Sequence, residues 1–294
     1  MTTEVEREIP TQPAMWRRAA GVAASEGARL PAAGARVAVA GCGTSWFVAQ
    51  AYASLREARG DGATDAFAAS EAPVTRAYDA LIVVSRSGTT SEVARLLRSI
   101  PAATPTVAIT GVAGSPIADA AGAVILLDFA DERSVVQTRF ATTALAFLRA
   151  SLGEDMGPVA DDGEEALRRP LPDGLAGYEH FVFLGRGWTV GLAHEAALKF
   201  REAAQAWTES YPAMEYRHGP ISVAGPRSIV WSLGGVEDAV LRDAEATGAT
   251  IVSSELDPMA ELVVAQRAAI ALAAARGLDP DRPRHLTRSV VLPE

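Results

Sequence analysis

Residues 81–90 read LIVVSRSGTT, a short apolar run that passes directly into a turn of small and hydroxyl residues. Residues 36–45, RVAVAGCGTS, have the same form. After each turn the spacing of apolar residues predicts a helix, over 46–55 in one case and over 91–100 in the other. Short buried strands that alternate with helices indicate a doubly wound, mainly parallel sheet.

The second half of the chain repeats this arrangement. A strand over 181–184 is followed by Gly185 and Gly187, which match Gly41 and Gly43 at a constant offset of 144 residues. A helix that contains 194–206 follows them. The repeat predicts an α/β protein built from two tandem doubly wound domains with mainly parallel sheets.

The domain boundaries are predicted from a change in composition. Residues 153–177 are rich in glycine, proline and acidic side chains, as linkers commonly are. We therefore expect a first domain over 1–152 with an N-terminal helical arm, a linker over 153–177, and a second domain with a C-terminal tail over 178–294.

Composition and charge exclude several classes of protein. The chain has 294 residues, of which 49% are hydrophobic, and its net charge is −9, so no basic face for nucleic acid is expected. Its single cysteine, Cys42, forms no intramolecular disulfide, and no Cys/His spacing suggests zinc. The polar N-terminus does not resemble a signal peptide, and apolar runs are broken before the ~18 residues of a membrane span. We expect a soluble, cytoplasmic protein that contacts neither nucleic acid nor membrane.

The turn at 85–90 is the first candidate site. Ser85, Ser87 and Thr90 supply hydroxyls where a strand meets a helix N-terminus, a place that favours anions. Gly88 permits unusual backbone angles and Arg86 adds charge. The alternative is a simple capping turn. Neither a Walker A motif nor a full GxGxxG is present, so phosphate binding is favoured over nucleotide binding.

The helix around 194–202 is the second candidate site. Glu195, Lys199 and Glu202 are spaced to share one helix face, which could be a solvated ion-pair stripe of little energetic value. However, Lys199 is the one lysine among 27 basic residues, and its neighbours are apolar. A partly buried lysine can lose its proton, whereas arginine cannot. His218, beside a Gly-Pro turn, is an acid/base candidate, although lone histidines are usually structural.

At these residues the chain resembles the two-domain sugar isomerase (SIS) family. Within it the resemblance is to the isomerase half of glucosamine-6-phosphate synthase and to stand-alone aminosugar-6-phosphate deaminases and tagatose-6-phosphate ketose/aldose isomerases. The motifs that carry the resemblance are EIxxQP from Glu8, GCGTS at 41–45, SRSGTT at 85–90, the segment 132–143, LGRG at 184–187, the segment 194–220 and the tail 282–290.

The resemblance implies a role for each of these residues. Glu202 moves a proton between C1 and C2 of a hexose or hexosamine 6-phosphate, Lys199 assists, and His218 opens the ring. In the family this histidine comes from a neighbouring subunit, so a homodimer is implied, and no metal or organic cofactor is expected. The implied substrate-binding residues are Gly43, Thr44, Ser45, Ser85, Arg86, Ser87, Thr90, Val135 and Glu195.

Two departures from the family narrow the expected activity. No glutaminase domain is recognisable, so glutamine-dependent amination is not expected. Arg288 stands where the synthase has a Schiff-base lysine, and arginine cannot form that adduct. We therefore expect a deaminase or an aldose–ketose isomerase, two reactions with the same first proton transfer. The alternative is a non-catalytic sugar-phosphate sensor, which Arg288 favours and Glu202, Lys199 and His218 oppose.

Overall fold

The computed structural model describes residues 2–73 and 75–292. Its strands are β1 Val37–Gly41, β2 Thr64–Ala68, β3 Ala80–Ser85, β4 Thr106–Thr110, β5 Ala123–Leu126, β6 His180–Gly185, β7 Trp207–Pro212, β8 Ser228–Ser232 and β9 Thr250–Val252. Its α-helices are α1 Glu4–Glu8, α2 Gln12–Glu26, α3 Thr44–Ala58, α4 Ser91–Ser99, α5 Pro116–Ala120, α6 Arg139–Ser151, α7 Met156–Ala166, α8 Thr189–Ala204, α9 Asp238–Glu245 and α10 Pro258–Ala275.

The chain forms two compact units, each assembled from three separate segments. Unit A comprises Ala14–Arg133, Arg139–Gly157 and the tail that begins at Thr287, whereas unit B comprises the N-terminal segment to Pro13, Ser134–Thr138 and Pro158–Leu286. The units differ from the expected domains because each terminal segment belongs to the unit that holds the other half of the chain. The segment expected to be a linker contains the helix α7.

The sheet of unit A confirms the doubly wound prediction. Its five parallel strands run in the order β2-β1-β3-β4-β5. Every residue of β1 and β3 is buried, which is why both read as continuous apolar runs without alternation. The chain moves outward in opposite directions from β1 and β3, so the topological switch point lies between them. Ligands of open α/β sheets bind at the carboxyl edge of such a point.

Unit B repeats this topology with four parallel strands in the order β7-β6-β8-β9. The strands β7 and β9 were not predicted from the sequence. β7 reads WTESYP and is the exposed edge strand of the sheet. Its polar sequence lacks the apolar run by which a buried strand is recognised. The helix predicted over 194–206 ends at Ala204, because Gln205 adopts a left-handed conformation with φ 50°.

The helix α10 forms part of the interior of unit B. It has 18 residues and is, by length and composition, apolar enough to cross a membrane, but 72% of it is buried inside the protein. Glu261 and Arg267 interrupt its apolar run. A helix that is apolar on all sides and buried is typical of the core of a large domain.

The N-terminal segment is tied to α10 and to the residues just beyond it. Gln12 donates a hydrogen bond of 2.7 Å from Nε2 to Oε1 of Gln266, and both side chains are buried. The backbone N–H of Glu4 donates to the carboxylate of Asp281 at 2.7 Å. Residues of the EIxxQP motif therefore have a structural role in unit B.

Candidate functional site

The turn over residues 85–90, called the phosphate turn after the ligand that the sequence predicts for it, joins β3 to α4 in unit A. Its shape requires Gly88, which has φ 66°, because an added Cβ would lie 2.0 Å from Oγ of Ser115. The carbonyl of Gly88 accepts a hydrogen bond of 3.0 Å from the N–H of Ile117. These contacts fix the turn against the loop that follows β4.

The hydroxyls of this turn are not used as an ordinary helix cap. Thr90 is the N-cap residue of α4, yet in the described structure its side chain makes no capping hydrogen bond. Its Oγ1 lies 3.4 Å from Oγ of Ser85. Since a cap would direct the Thr90 hydroxyl to the first turn of α4, the geometry favours the anion-binding interpretation over the capping one.

Arg86 is buried beneath the turn and lies in a small charged cluster. Its side chain is 5% exposed, and Nη1 lies 3.7 Å from Oε1 of the fully buried Glu132 carboxylate. Nη2 donates to the backbone carbonyl of Arg288 at 2.7 Å. The guanidinium of Arg288 in turn donates to the carboxylate of Asp131 and, at 3.2 Å, to the carbonyl of Glu132. Arg86 therefore links the phosphate turn to the C-terminal tail.

The tail also contacts the hydroxyls and the helix N-terminus of the phosphate turn. Ser87 donates to Oγ of Ser289 at 3.0 Å, and Thr89 donates to the same oxygen at 2.9 Å. The backbone N–H of Ser91, the first residue of α4, donates to the carbonyl of Val290 at 3.2 Å. Neither Thr89 nor Ser289 is among the site residues predicted from the sequence.

The turn between β1 and α3 lies at the same edge of the sheet, since β1 and β3 are parallel neighbours. Gly43 precedes α3 with φ 53°, and Thr44 and Ser45 are buried. Gly41 allows β1 and the first turn of α3 to approach closely, because an added Cβ would lie 2.6 Å from the backbone carbon of Ser45. Three predicted binding residues are thus placed beside the switch point.

The predicted acid/base residues lie on α8 in unit B. Nζ of Lys199 lies 2.6 Å from Oε2 of Glu202 and 3.3 Å from Oε1 of Glu195. The Lys199 side chain is 1% exposed and that of Glu195 is 3% exposed, whereas Glu202 keeps 19%. This burial excludes a solvated ion-pair stripe. Glu195, Lys199 and Glu202 are called the triad on α8. Of the three side chains, that of Glu202 has the most solvent access.

The surroundings of Lys199 favour its charged form. Burial by itself would lower the pKa of Lys199, but the negative charges of Glu195 and Glu202 and the hydrogen bonds to both carboxylates outweigh it, so that the pKa is raised. The environment keeps an ammonium group beside two carboxylates, where it holds Glu202 in position by a charge-assisted hydrogen bond.

His218 lies on the surface of unit B. It follows a 3-10 turn, Ala213–Arg217, and its N–H donates to the carbonyl of Glu215 at 3.0 Å. Within the described residues its exposed ring forms no hydrogen bond or ion pair with Lys199 or Glu202. Val135 is half-buried in the segment Ser134–Thr138, where Ser134 is bonded to the carboxylate of Glu8.

The predicted residues therefore fall into two groups, one in each unit. Those of unit A are Gly43, Thr44, Ser45, Ser85, Arg86, Ser87 and Thr90, and those of unit B are Val135, Glu195, Lys199, Glu202 and His218. In the described ranges no group of three or more His, Cys, Asp or Glu side chains could hold a metal ion.

Two histidines to which no role was assigned have structural partners in unit B. Nδ1 of His194 lies 2.8 Å from Oγ of Ser210, and burial, with a smaller effect from Arg201, lowers the His194 pKa. Nδ1 of His180 lies 3.1 Å from Oγ of Ser228. Both rings are held between secondary-structure elements, which fits a role in packing.

Comparisons with known proteins agree with the geometry. The SIS domain profile matches residues 32–152. The glutamine–fructose-6-phosphate aminotransferase (isomerizing) of Sulfurisphaera tokodaii is 28% identical over 87% of this chain and 50% of that protein. The chain spans about half the length of the curated relatives it matches.

Solved structures share the fold of the whole chain. The glucosamine-6-phosphate deaminase of Thermotoga maritima has a TM-score of 0.84 and 23% identity over 99% of this chain and 100% of that one. The tagatose-6-phosphate ketose/aldose isomerase of Escherichia coli has a TM-score of 0.79 and 21% identity over 99% and 96%. At this identity the likeness shows the fold alone. Together with the profile match, these findings show that residues 32–152 match a SIS domain and that the chain is similar to the isomerase part of glutamine–fructose-6-phosphate aminotransferases.

Proposed function

We propose that the chain is a phosphosugar isomerase or deaminase that acts on a hexose or hexosamine 6-phosphate by proton transfer between C1 and C2. The observation that carries this proposal is the triad on α8. A carboxylate that keeps 19% of its surface accessible lies 2.6 Å from a buried ammonium group. This arrangement orients a general base and leaves it open to a ligand.

In this proposal Glu202 is the catalytic residue. Its carboxylate removes the proton from the carbon next to the carbonyl, the electrons of the broken C–H bond form the C1–C2 double bond, and the carbonyl oxygen takes up a proton to give an enediol. Return of the proton from Glu202 to the other carbon, with loss of the proton from the hydroxyl on the first carbon so that a carbonyl forms there, completes an aldose–ketose isomerisation. In a deaminase, removal of the C2 proton gives an enolamine, and return of the proton to C1 gives an imine at C2. Water then adds to that carbon, and the nitrogen leaves as ammonia.

Lys199 is a positioning residue in this scheme. Its raised pKa keeps it charged at neutral pH, so it fixes Glu202 by a hydrogen bond and does not itself take the substrate proton. Glu195 supplies the second negative charge that keeps the buried ammonium favourable. The role of Lys199 is therefore electrostatic and geometric.

The phosphate turn is the proposed site of the substrate phosphate. Ser85, Ser87 and Thr90 present hydroxyls at the N-terminus of α4, and helix N-termini favour anions. Arg86 adds a positive charge beneath the turn. Thr44 and Ser45 extend the polar edge at the neighbouring helix.

We further propose a homodimer in which His218 opens the sugar ring in a neighbouring copy of the chain. The exposure of the His218 ring supports this, because a surface histidine is available to a partner. The names of the relatives, a deaminase and a ketose/aldose isomerase, support the sugar-phosphate class. We also propose that the protein works in the cytoplasm and needs no cofactor.

A regulatory sensor is the second candidate. Arg288 occupies the position of the synthase lysine, and its guanidinium is bonded to Asp131 and the Glu132 carbonyl. An arginine fixed in this way cannot form an imine with a keto sugar. A regulatory sensor would bind phosphosugars and convert none of them.

The test is a panel of glucosamine 6-phosphate, fructose 6-phosphate and tagatose 6-phosphate, with ammonia release and ketose–aldose conversion assayed separately in the wild type and in Glu202→Gln. We expect turnover of at least one sugar, a fall of about 10²–10⁴-fold in the variant, and retained binding. Glu215→Gln, at an exposed glutamate of the same unit, is the control and should behave as wild type. Binding without turnover in the wild type would favour the sensor.

A further inference from the structure

We propose that unit B has a binding site for a small hydroxylated amine at the outer edge of β9. The cavity that forms it, called the β9 cavity, has a volume of about 530 Å³ and is lined by the segments 169–173 and 250–254, by Tyr178, and by Glu261 and Val264 of α10. All of these residues belong to unit B, and none of them is a predicted site residue. The proposal therefore does not depend on the function proposed above.

The sheet of unit B leaves room for this cavity because it has one strand fewer than the sheet of unit A. By their place in the two sheets β9 corresponds to β4, and the outer edge of β4 is covered by β5. In the described part of unit B, β9 is the last strand, and only residues 253–257 separate it from α10. The edge of β9 therefore borders a cavity on the side where unit A has its fifth strand.

The dimensions of the β9 cavity favour a small molecule over an added strand. β9 has three residues, Thr250–Val252, so its outer edge offers an incoming strand very few ladder bonds. In the facing segment, Pro170 and Pro172 have no backbone N–H to donate. The volume of about 530 Å³ lies within the range of small-molecule sites, roughly 300–1,000 Å³.

Glu261 provides the charge that selects the ligand. The residue lines the β9 cavity although it is only 3% exposed. Its Oε1 accepts a hydrogen bond of 2.5 Å from Nε1 of Trp231, and its Oε2 accepts one from the hydroxyl of Ser254. Both donors are neutral, and among the described residues no cationic side chain is paired with this carboxylate. Because a buried carboxylate is most favourable beside a cation, an ammonium group is the ligand that this position favours.

A capping role does not account for Glu261. Asp257 is the N-cap residue of α10, and its carboxylate accepts a hydrogen bond of 2.9 Å from the N–H of Met259. The N-terminal end of the helix dipole also lowers the cost of a carboxylate in the first turn. However, this effect gives no reason for the carboxylate to line a cavity.

The other polar groups of the β9 cavity fit a hydroxylated ligand. The hydroxyl of Tyr178 lies 2.8 Å from Oγ1 of Thr250, and Ser253 lines the same cavity. Hydroxyl groups both donate and accept, as those of a sugar or an alcohol do. Of the charged residues that line the cavity two are acidic and one, Arg169, is basic, so the lining has a net negative charge. Together these groups fit an amino sugar or an amino alcohol.

The test is calorimetric titration of the wild type, Glu261→Gln and Glu255→Gln with glucosamine, glucose and 2-aminoethanol. Glucose has a hydroxyl where glucosamine has its charged amine, so the wild type should bind glucosamine about 10–100-fold more tightly. Glu261→Gln should remove most of this preference. Glu255→Gln, at an exposed glutamate that does not line the cavity, is the matched control and should bind as the wild type does. 2-Aminoethanol shows whether the sugar ring is needed besides the amine.

A second readout locates the ligand without any change at Glu261. The indole N–H of Trp231 donates to the Glu261 carboxylate, so an ammonium group bound there should shift the indole resonance of Trp231 in a proton–nitrogen NMR spectrum. Trp231→Phe assigns that resonance. The indole resonance of Trp207, which is 74% exposed and does not line the cavity, should stay where it is.

Three results would overturn the proposal. The first is equal affinity of the wild type for glucosamine and glucose, or no binding of either. The second is a glucosamine affinity that Glu261→Gln leaves unchanged while thermal melting shows a folded protein. The third is binding that leaves the Trp231 resonance unmoved and is lost in Glu202→Gln, which would place the amine at the triad on α8.

Discussion

Units A and B have the same strand–turn–helix backbone but different chemistry at equivalent turns. Gly41 and Gly185 end β1 and β6, and at both positions an added Cβ would strike the first turn of the following helix. One residue later unit A has Cys42 and unit B has Arg186. The duplication therefore preserves the close approach of strand and helix, and leaves the neighbouring side chain free to differ.

The second turn of each unit differs more. Unit A has the hydroxyls of the phosphate turn, whereas β8 is followed by Gly234 and Gly235, and Glu237 is the N-cap residue of α9. Glu237 pairs with Arg186 at 2.7 Å. A carboxylate at a helix N-terminus disfavours a phosphate in the same place. In unit B the candidate chemistry lies instead along the body of α8. The shared fold thus predicts where the backbone runs but not which turn binds an anion.

The largest effect on stability is expected at Gly41 and Gly185, the glycines that end β1 and β6. Gly41→Ala and Gly185→Ala would place Cβ 2.6 and 2.3 Å from backbone atoms of Ser45 and Thr189, so each should lower the free energy of unfolding by more than about 3 kcal/mol. Urea denaturation measures this. Gly21→Ala, in the middle of α2 with no atom within 4 Å, is the control and should stabilise by about 0.5–1 kcal/mol. Equal effects at all three positions would show that the close approach of strand and helix does not require glycine in either unit.

The second-largest effect on stability is expected at Lys199, the buried cation of unit B. Lys199→Met leaves the carboxylates of Glu195 and Glu202 without their partner, so the free energy of unfolding should fall by about 3–5 kcal/mol. Arg186→Met, which removes an ion pair with side chains 65% and 33% exposed, should cost under about 1 kcal/mol.

The difference in stability between wild type and Lys199→Met depends on pH in a definite direction. The pKa of Lys199 is raised, because the charges and hydrogen bonds of the two carboxylates outweigh the opposing effect of burial. A group with a raised pKa stabilises the fold fully below its unfolded value, 10.5, and loses that contribution as the pH rises through its folded value. The difference between wild type and Lys199→Met should therefore persist from pH 7 to pH 10. A loss of the difference in that range would contradict the ion-pair explanation.

A smaller effect is expected on the reactivity of Cys42, which lies at the position equivalent to Arg186 of unit B. Burial, with a further contribution from Glu92, raises the pKa of the Cys42 thiol from 9.0 to about 11. At pH 8 its reaction with iodoacetamide should be about 100-fold slower than that of an ordinary thiol. Arg186→Cys introduces a thiol at the equivalent, exposed position of unit B as an internal standard. Similar labelling rates at both positions, read by mass spectrometry, would show that the two turns do not differ in burial.

The smallest effect concerns the phosphate turn. Thr90→Val keeps the shape of the side chain and removes its hydroxyl, so phosphate binding should weaken by about 1–3 kcal/mol. Stability should change little, because the Thr90 side chain makes no capping bond in the described structure. Calorimetry and thermal melting measure the two quantities. A fall in melting temperature with unchanged affinity would restore the capping interpretation.

The sequence predicted those parts of the fold that have a strong local pattern. The buried strands β1, β3 and β6 were predicted to within a residue or so at each end, because parallel strands buried on both faces read as uninterrupted apolar runs. The edge strand β7 was missed, since its partly exposed side chains do not show this pattern.

Long-range contacts account for the rest of what was missed. The shared face of Glu195, Lys199 and Glu202 follows from helical spacing, but the burial of Lys199 and Glu195 comes from packing that spacing cannot show. The contact of Ser289 with Ser87 joins residues 202 positions apart. No local signal in the sequence indicates such a pairing. The exchange of terminal segments between the units was missed for the same reason.

The distribution of unit B over three segments has a consequence for synthesis on the ribosome. The N-terminal segment is made first, yet Gln266, the partner of Gln12, follows 254 residues later. At about 5–20 residues per second the nascent arm waits roughly 10–50 s for that partner. Unit A also has to wait for its last segment. Co-translational folding of unit B therefore cannot be completed before α10 has been made, and until then the apolar surface that α10 will cover stays exposed.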